Sequence, residues 1–316
     1  MPFSLHSSCI SFDSESYSAG DTVSGTVSFI TDKPLSARFI KISLIGEARV
    51  HTYHTKRIVS NGRYLWKSTD GENTFPAGKH CYYFSFTPSL PEDAEPSFRG
   101  PNGAITYKIY LTVNRPWALD LQTEKEFLVT CSKEGKALIK KENVARGYTM
   151  VHVPGTIFTE GNISMMVKMP KLCFTPGETL IASVEIENNS SRPIRSLGLK
   201  FFRLSHYHLK PQHLPCSVRS QCPLSPDQKS DSEEILKVQK NKNIFVKPFS
   251  CGEFTMKLQL DKKLTPIFES PMISIGYKMQ FSCSNDSLTN NKVRINVPLA
   301  LRTDKSDKEA PPPYFI

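Results

Sequence analysis

The residues best equipped for recognition chemistry in this 316-residue chain stand near its end, where Pro311, Pro312, Pro313 and Tyr314 run together. Consecutive prolines pre-form a polyproline II helix, so docking into an aromatic groove costs little ordering entropy, and the tyrosine supplies a pocket-filling anchor. The final residues Tyr314, Phe315 and Ile316 also suit domains that capture hydrophobic C-termini by strand addition, a mode that would compete for Tyr314. The plain alternative is a proline-rich end that nothing binds. A second group, His206, His208, His213, Cys216 and Cys222, is rich in metal-ligand types. Zinc sites favour tighter pairs such as Cys-x2-Cys, and Pro211, Pro215 and Pro223 interrupt regular geometry here. The simpler reading is a strand carrying His206 and His208 toward one face and then a loop, with no metal site. Glycine-rich phosphate loops, nucleophile elbows and zinc-protease helices are absent from the sequence, so neither catalysis nor a cofactor is expected.

Charge narrows the partners less sharply. The formal net charge of +10 admits nucleic acid, an anionic membrane surface or acidic protein segments. Basic residues gather at Lys133, Lys136, Lys140, Lys141 and Arg146, and again at Lys237, Lys240, Lys242 and Lys247. A solvated surface is the ordinary reading of such clusters. If several share a face, attraction to anionic lipid is worth about 1 kcal/mol per charge. Nucleic acid is not expected, because no zinc finger, RNP motif or basic recognition helix accompanies the charge.

The elements that would position these residues are strands. Tyr17-Ser18-Ala19-Gly20-Asp21-Thr22-Val23 reappears as Phe174-Thr175-Pro176-Gly177-Glu178-Thr179-Leu180. Each copy suits a type II turn with glycine at the positive-φ position. Each then leads into an alternating strand, with Val23, Gly25, Val27 and Phe29 inward in one and Leu180, Ala182, Val184 and Ile186 in the other. The order repeats further on. Ile40, Ile42 and Leu44 answer to Leu197, Leu199 and Phe201, and Ile105 to Val113 answer to Ile273 to Phe281. Prolines between Leu90 and Pro101, and again between Leu264 and Pro271, force long crossing connections of the Greek-key kind. Asn61-Gly62 predicts a hairpin turn. With 23 prolines, 16 glycines and 39% hydrophobic residues, the composition fits many short strands in two domains. A linker is expected within 132–155. Neither a leader segment nor a run of ~18 apolar residues opens or crosses the sequence, which predicts a soluble, intracellular protein whose eight cysteines stay reduced.

With these elements placed, the chain resembles the arrestin-domain-containing proteins, the alpha-arrestins. The likeness is carried by Gly20-Asp21-Thr22-Val23-Ser24-Gly25, Phe75-Pro76-Ala77-Gly78, Phe84-Ser85-Phe86, Leu90-Pro91, Pro96-Ser97-Phe98, Gly103-x-Ile105-x-Tyr107 and Arg115-Pro116-Trp117. In the second half it continues through Phe174 to Thr179 and Tyr277. The resemblance implies an all-β chain of two tandem arrestin-like, immunoglobulin-like antiparallel β-sandwiches, at 1–150 and 151–302, with a flexible tail at 303–316. It implies a non-catalytic adaptor, cytoplasmic and peripheral at plasma membrane and endosomes. Such an adaptor joins cytoplasmic segments of membrane receptors or transporters to a HECT-type ubiquitin ligase whose WW domains take Pro311, Pro312, Pro313 and Tyr314. The alternative within the same fold is an endosomal coat or sorting scaffold that acts without a ligase.

Overall fold

The computed structural model describes residues 8–51, 54–69, 71–87, 89–130, 161–208, 231–284 and 292–301, together with the main chain of 147–153. The chain is all-β and divides into two compact bodies, the first built from strands up to Thr130 and the second from Gly147 onward.

In the first body, β1 (Cys9–Phe12), β2 (Ser16–Ser18), β3 (Ser24–Thr31), β4 (Leu35–Ser36), β5 (Phe39–Val50) and β6 (His54–Lys67) are followed by β7 (Thr74–Phe75), β8 (Gly78–Ser85), β9 (Phe98–Gly100), β10 (Gly103–Asn114) and β11 (Leu121–Thr130). One sheet has the order β1-β3-β8 and the other β2-β11-β10-β5-β6, with β9 on β10 and a small β4-β7 ladder. Alternation decides what is inside. Val23, Val27 and Phe29 from one sheet and Ile40, Ile42, Leu44, Ile105, Tyr107, Ile109, Leu111 and Val113 from the other are buried. Phe12 of β1 meets Phe127 of β11 with ring centroids 5.2 Å apart, and Tyr17 meets the same ring at 5.5 Å. The chain crosses from β8 to β10, hence from one sheet to the other, through the proline-bearing stretch 90–101.

The second body repeats this plan. Its strands are β12 (Gly147–Val153), β13 (Gly161–Lys168), β14 (Cys173–Phe174), β15 (Thr179–Asn189), β16 (Ser196–Tyr207), β17 (Asp231–Asn241), β18 (Ser250–Gln259), β19 (Phe268–Glu269), β20 (Ile273–Ser284) and β21 (Lys292–Leu301). They form sheets β12-β13-β15-β18 and β14-β21-β20-β16-β17, with β19 on β20. In both bodies a short early strand runs parallel to the last one, β2 beside β11 and β14 beside β21.

The repeated turns are tied down alike. Gly20 and Gly177 have φ of 84° and 83°, the left-handed region that glycine adopts without a Cβ clash. The Asp21 amide donates to the Ser18 carbonyl at 3.0 Å, and the Ser18 amide donates back to Asp21 Oδ2 at 2.7 Å. Glu178 and Thr175 exchange the same two bonds at 3.1 and 3.0 Å. Farther on, the hydroxyl of Tyr107 donates to the carbonyl of Glu95 at 2.6 Å, and that of Tyr277 to the carbonyl of Thr265 at 2.7 Å, each reaching 12 residues upstream. Both tyrosines are buried, so a hydroxyl without such a partner would be costly. Burial raises both phenol pKa values, and at Tyr107 the nearby Glu95 and Asp93 charges add to that.

Two expectations need correction. Asn61-Gly62 is not a turn: both residues lie within β6, opposite Leu44 and Ser43. Asn61 Oδ1 accepts from the Gly62 amide at 2.8 Å, and a Cβ at Gly62 would stand 2.4 Å from Lys41 Cε, so the glycine makes room for the side chain on the neighbouring strand. The stretch 132–155, within which a linker is expected, ends in strand β12, paired residue for residue with β13 from Gly147↔Val167 to Val153↔Gly161. The expected domain boundary at 150/151 therefore falls inside a strand of the second body. Basic residues and glycines nearby hide a strand whose alternation is short. The rest of that stretch, 131–146 and 154–160, lies outside the described residues.

Candidate functional site

The Pro311, Pro312, Pro313 and Tyr314 motif and the terminal Phe315 and Ile316 lie outside the described residues, as do His213, Cys216, Cys222 and the basic residues from Lys133 to Arg146. His206 ends near the rim of β16 and His208 follows it, and both are buried. Among the described residues no cluster of three His, Cys, Asp or Glu side chains could hold a metal ion. No described helix is long and apolar enough to cross a membrane.

The second basic cluster is only partly brought together. Lys240, the last residue but one of β17, lies opposite Gly198 of β16, and Lys242 directly follows the strand. From there the chain is pinned beside the start of β16 by a two-bond bridge. The Ile194 amide donates to the Val246 carbonyl at 2.9 Å, and the Val246 amide donates back at 3.0 Å. Asn241 Oδ1 accepts from the Asn243 amide at 2.9 Å and turns the chain between strand and bridge. Ile244 and Val246 face inward and are buried, so Phe245 between them must face out. Its ring carries the guanidinium of Arg195 at 5.0 Å.

This arrangement leaves an open groove of about 620 Å³, lined by Arg195, Ser196, Lys240, Lys242, Asn243, Ile244 and Phe245. Among the described lining residues three are cationic. Ser196 is set in place by its hydroxyl contact with the Ser284 hydroxyl at 2.7 Å, and the Arg195 amide donates to the Ser284 carbonyl at 3.3 Å. The groove can therefore offer an anion three charges, a hydroxyl and a carboxamide. Lys237 points elsewhere, its ammonium donating to the Gln259 carbonyl at 2.5 Å, and Lys247 does not line the groove. Arg195 was not visible as part of the cluster. It is far from Lys240 in sequence, and only the pairing of β16 with β17 joins them; its one sequence signal is the basic Arg192-Pro193-Ile194-Arg195 run after the Asn188 break.

A second exposed feature stands on the first body. Between β10 and β11, Trp117 is 100% exposed with φ of 57°, and Leu119 is 87% exposed. The loop is braced from within: Asn114 Nδ2 donates to Asp120 Oδ1 at 2.8 Å, and Arg115 Nε and a terminal guanidinium nitrogen donate to the Leu119 carbonyl at 2.9 and 2.7 Å. The other tryptophan, Trp66, packs edge-on against Phe75 at 5.1 Å.

Comparison with known families matches residues 9–133 to the arrestin (or S-antigen) N-terminal domain and residues 159–303 to the arrestin (or S-antigen) C-terminal domain. The chain is similar to arrestin domain-containing protein 17 of Caenorhabditis elegans, 29% identical over 219 residues, covering 62% of this chain and 50% of that protein. It is similar to human arrestin domain-containing protein 1, 25% identical over 182 residues, covering 56% of this chain and 41% of that protein. Dictyostelium discoideum arrestin domain-containing protein B is 22% identical over 277 residues, covering 84% of this chain and 40% of that protein. The chain thus spans about half the length of the curated relatives it matches.

Proposed function

The chain belongs to the arrestin-domain-containing family, the alpha-arrestins, and from that premise we propose that it is a non-catalytic trafficking adaptor. In this reading the two sandwiches bind cytoplasmic segments of membrane receptors or transporters. The segment Pro311, Pro312, Pro313 and Tyr314 recruits a HECT-type ubiquitin ligase through its WW domains. Ubiquitination, endocytosis and endosomal sorting of the cargo follow from the partner's chemistry. The protein works in the cytoplasm, peripheral at plasma membrane and endosomes, with an anionic membrane surface as a further partner.

The observation that carries the reading is the joint presence of two arrestin domains and a Pro-Pro-x-Tyr motif in one chain. A pull-down of the full chain with isolated WW domains tests it. Wild type is expected to bind and Tyr314→Ala to lose at least tenfold, since truncating a pocket-filling aromatic anchor costs about 1.4 kcal/mol or more. Equal binding by both, or binding by neither, removes the ligase and leaves the sorting-scaffold alternative.

A further inference from the structure

The turn between β10 and β11 exposes what the rest of the first body hides. Pro116, Trp117, Ala118 and Leu119 are consecutive apolar residues where turns ordinarily carry polar ones, and the last three are exposed. Trp117, fully exposed, adds no packing to the body, yet it is held at φ of 57°, a conformation that costs a bulky side chain about 1–2 kcal/mol. The turn is nevertheless closed by side-chain bonds: the Arg115 guanidinium donates twice to the Leu119 carbonyl, and Asn114 donates to Asp120. Those bonds hold the apolar tip outward and satisfy a carbonyl that would otherwise need water.

The neighbouring end of the sheet suits the same surroundings. Asn114, where the turn begins, lies opposite Phe39, and Phe39 opposite Lys67, so the three form one row across β10, β5 and β6. Phe39 meets the half-exposed ring of Tyr64 edge-on at 5.3 Å, and the ammonium groups of Lys67 and Lys41 lie 3.7 and 5.8 Å from the centre of that ring. Tryptophan and tyrosine settle at the headgroup level of a bilayer, and lysines there keep their charge among anionic headgroups. A protein partner asks for something else. Anchoring side chains of protein interfaces sit at the centre of a patch whose rim excludes water, whereas Trp117 and Leu119 project from a single short turn. A bilayer needs no such rim, because lipid closes around the apolar groups that enter it.

We propose that the 114–120 turn is a membrane anchor: Trp117 and Leu119 enter the interface of an anionic bilayer, with Tyr64, Lys41 and Lys67 at headgroup level beside them. The proposal rests on the reading of the chain as a peripheral membrane adaptor and gives that reading a point of contact. Insertion of this turn does not involve Tyr314, so it can fail while the WW interaction holds, and the reverse.

The chain has two tryptophans, so Trp66→Phe leaves Trp117 alone as a reporter. On vesicles of phosphatidylcholine with phosphatidylserine, the full chain carrying Trp66→Phe is expected to shift its emission to shorter wavelength and to be quenched by acyl-brominated lipid. Flotation with the same vesicles measures partition. Trp117→Ala/Leu119→Ala is expected to weaken it at least about tenfold, because an inserted tryptophan takes a large apolar area out of water. Tyr83→Ala, at an exposed aromatic of β8 in the other sheet, is expected to change it less than about threefold. Lys41→Gln/Lys67→Gln is expected to reduce the preference for phosphatidylserine vesicles over phosphatidylcholine alone at least about fivefold, the worth of one charge. Emission that stays unshifted overturns the anchor and leaves the turn to a protein partner. Partition unaffected by Trp117→Ala/Leu119→Ala overturns it too, as do equal losses with Tyr83→Ala. A preference that survives Lys41→Gln/Lys67→Gln overturns the placement of these lysines at the headgroups. Circular dichroism of each variant verifies that it remains folded.

Discussion

At the scale of single residues, the two turn glycines matter less for themselves than for the acids that follow them. Burial works against the charge on Glu178, yet a hydrogen bond from Lys171 and the amide of Thr175 hold its carboxyl below the usual carboxylate range. The side chain is 30% exposed, so solvent trims the gain. A carboxyl whose folded value lies below its unfolded value of about 4.3 stabilises the fold above that pH, and the contribution disappears as pH falls through the folded value. Glu178→Gln is therefore expected to lower stability by about 1 kcal/mol at pH 7. Its difference from wild type should shrink steadily once the pH drops below about 4.3. Urea unfolding across a pH series reads this directly; a difference that stays constant into acid would mean that packing, not charge, holds the turn. Cys283 illustrates the opposite influence, because burial pushes its thiol up to about 12 and leaves it protonated and enclosed, whereas Cys9, Cys81 and Cys251 are exposed.

At the scale of elements, glycines inside strands separate two roles that sequence alone runs together. A Cβ at Gly25 would stand 2.1 Å from the Ser11 carbonyl oxygen and 3.1 Å from Phe12 Cα, both main-chain atoms of β1 that cannot yield. At Gly62 the obstructing atoms belong to the long side chain of Lys41, which can swing away. Gly25→Ala is expected to cost about 2–4 kcal/mol by prising β1 from β3, and Gly62→Ala less than about 1. Thermal unfolding of the two variants orders them, and the reverse order would contradict the close approach of β1. Alternation revealed Gly25 as an inward position without revealing why it must be glycine. The core strands were legible because a two-residue period survives in Ile105 to Val113 and in Ile273 to Phe281. Asn61-Gly62 misled because the same dipeptide serves a hairpin turn and a crowded strand interior, and only the neighbour across the ladder distinguishes them. The groove was half legible: Lys240 and Lys242 are close in sequence, whereas Arg195 joins them through strand pairing.

At the scale of the whole molecule, the chain is two bodies of one plan, and each is closed by the same device. β2 lies parallel to β11 through three register pairs, Ser16 to Ser18 against Leu128 to Thr130, and β14 lies parallel to β21 through two, Cys173 with Ala300 and Phe174 with Leu301. The exposed Trp117 and the basic groove sit on separate bodies, outside these closures. A parallel seam between an early strand and the last one has a mechanical meaning. Tension applied at the start of the early strand and the end of the last one drags the two strands past each other lengthwise, so the seam bonds must fail together instead of opening one by one. Stretched in a single-molecule experiment, each body should hold until its seam slides, and the second, with two pairs against three, should yield at the lower force. A first rupture releasing the length of the first body would refute that order. A tether built this way transmits pull through its folded bodies and gives way in a set sequence, the behaviour of a fuse placed in series with its load.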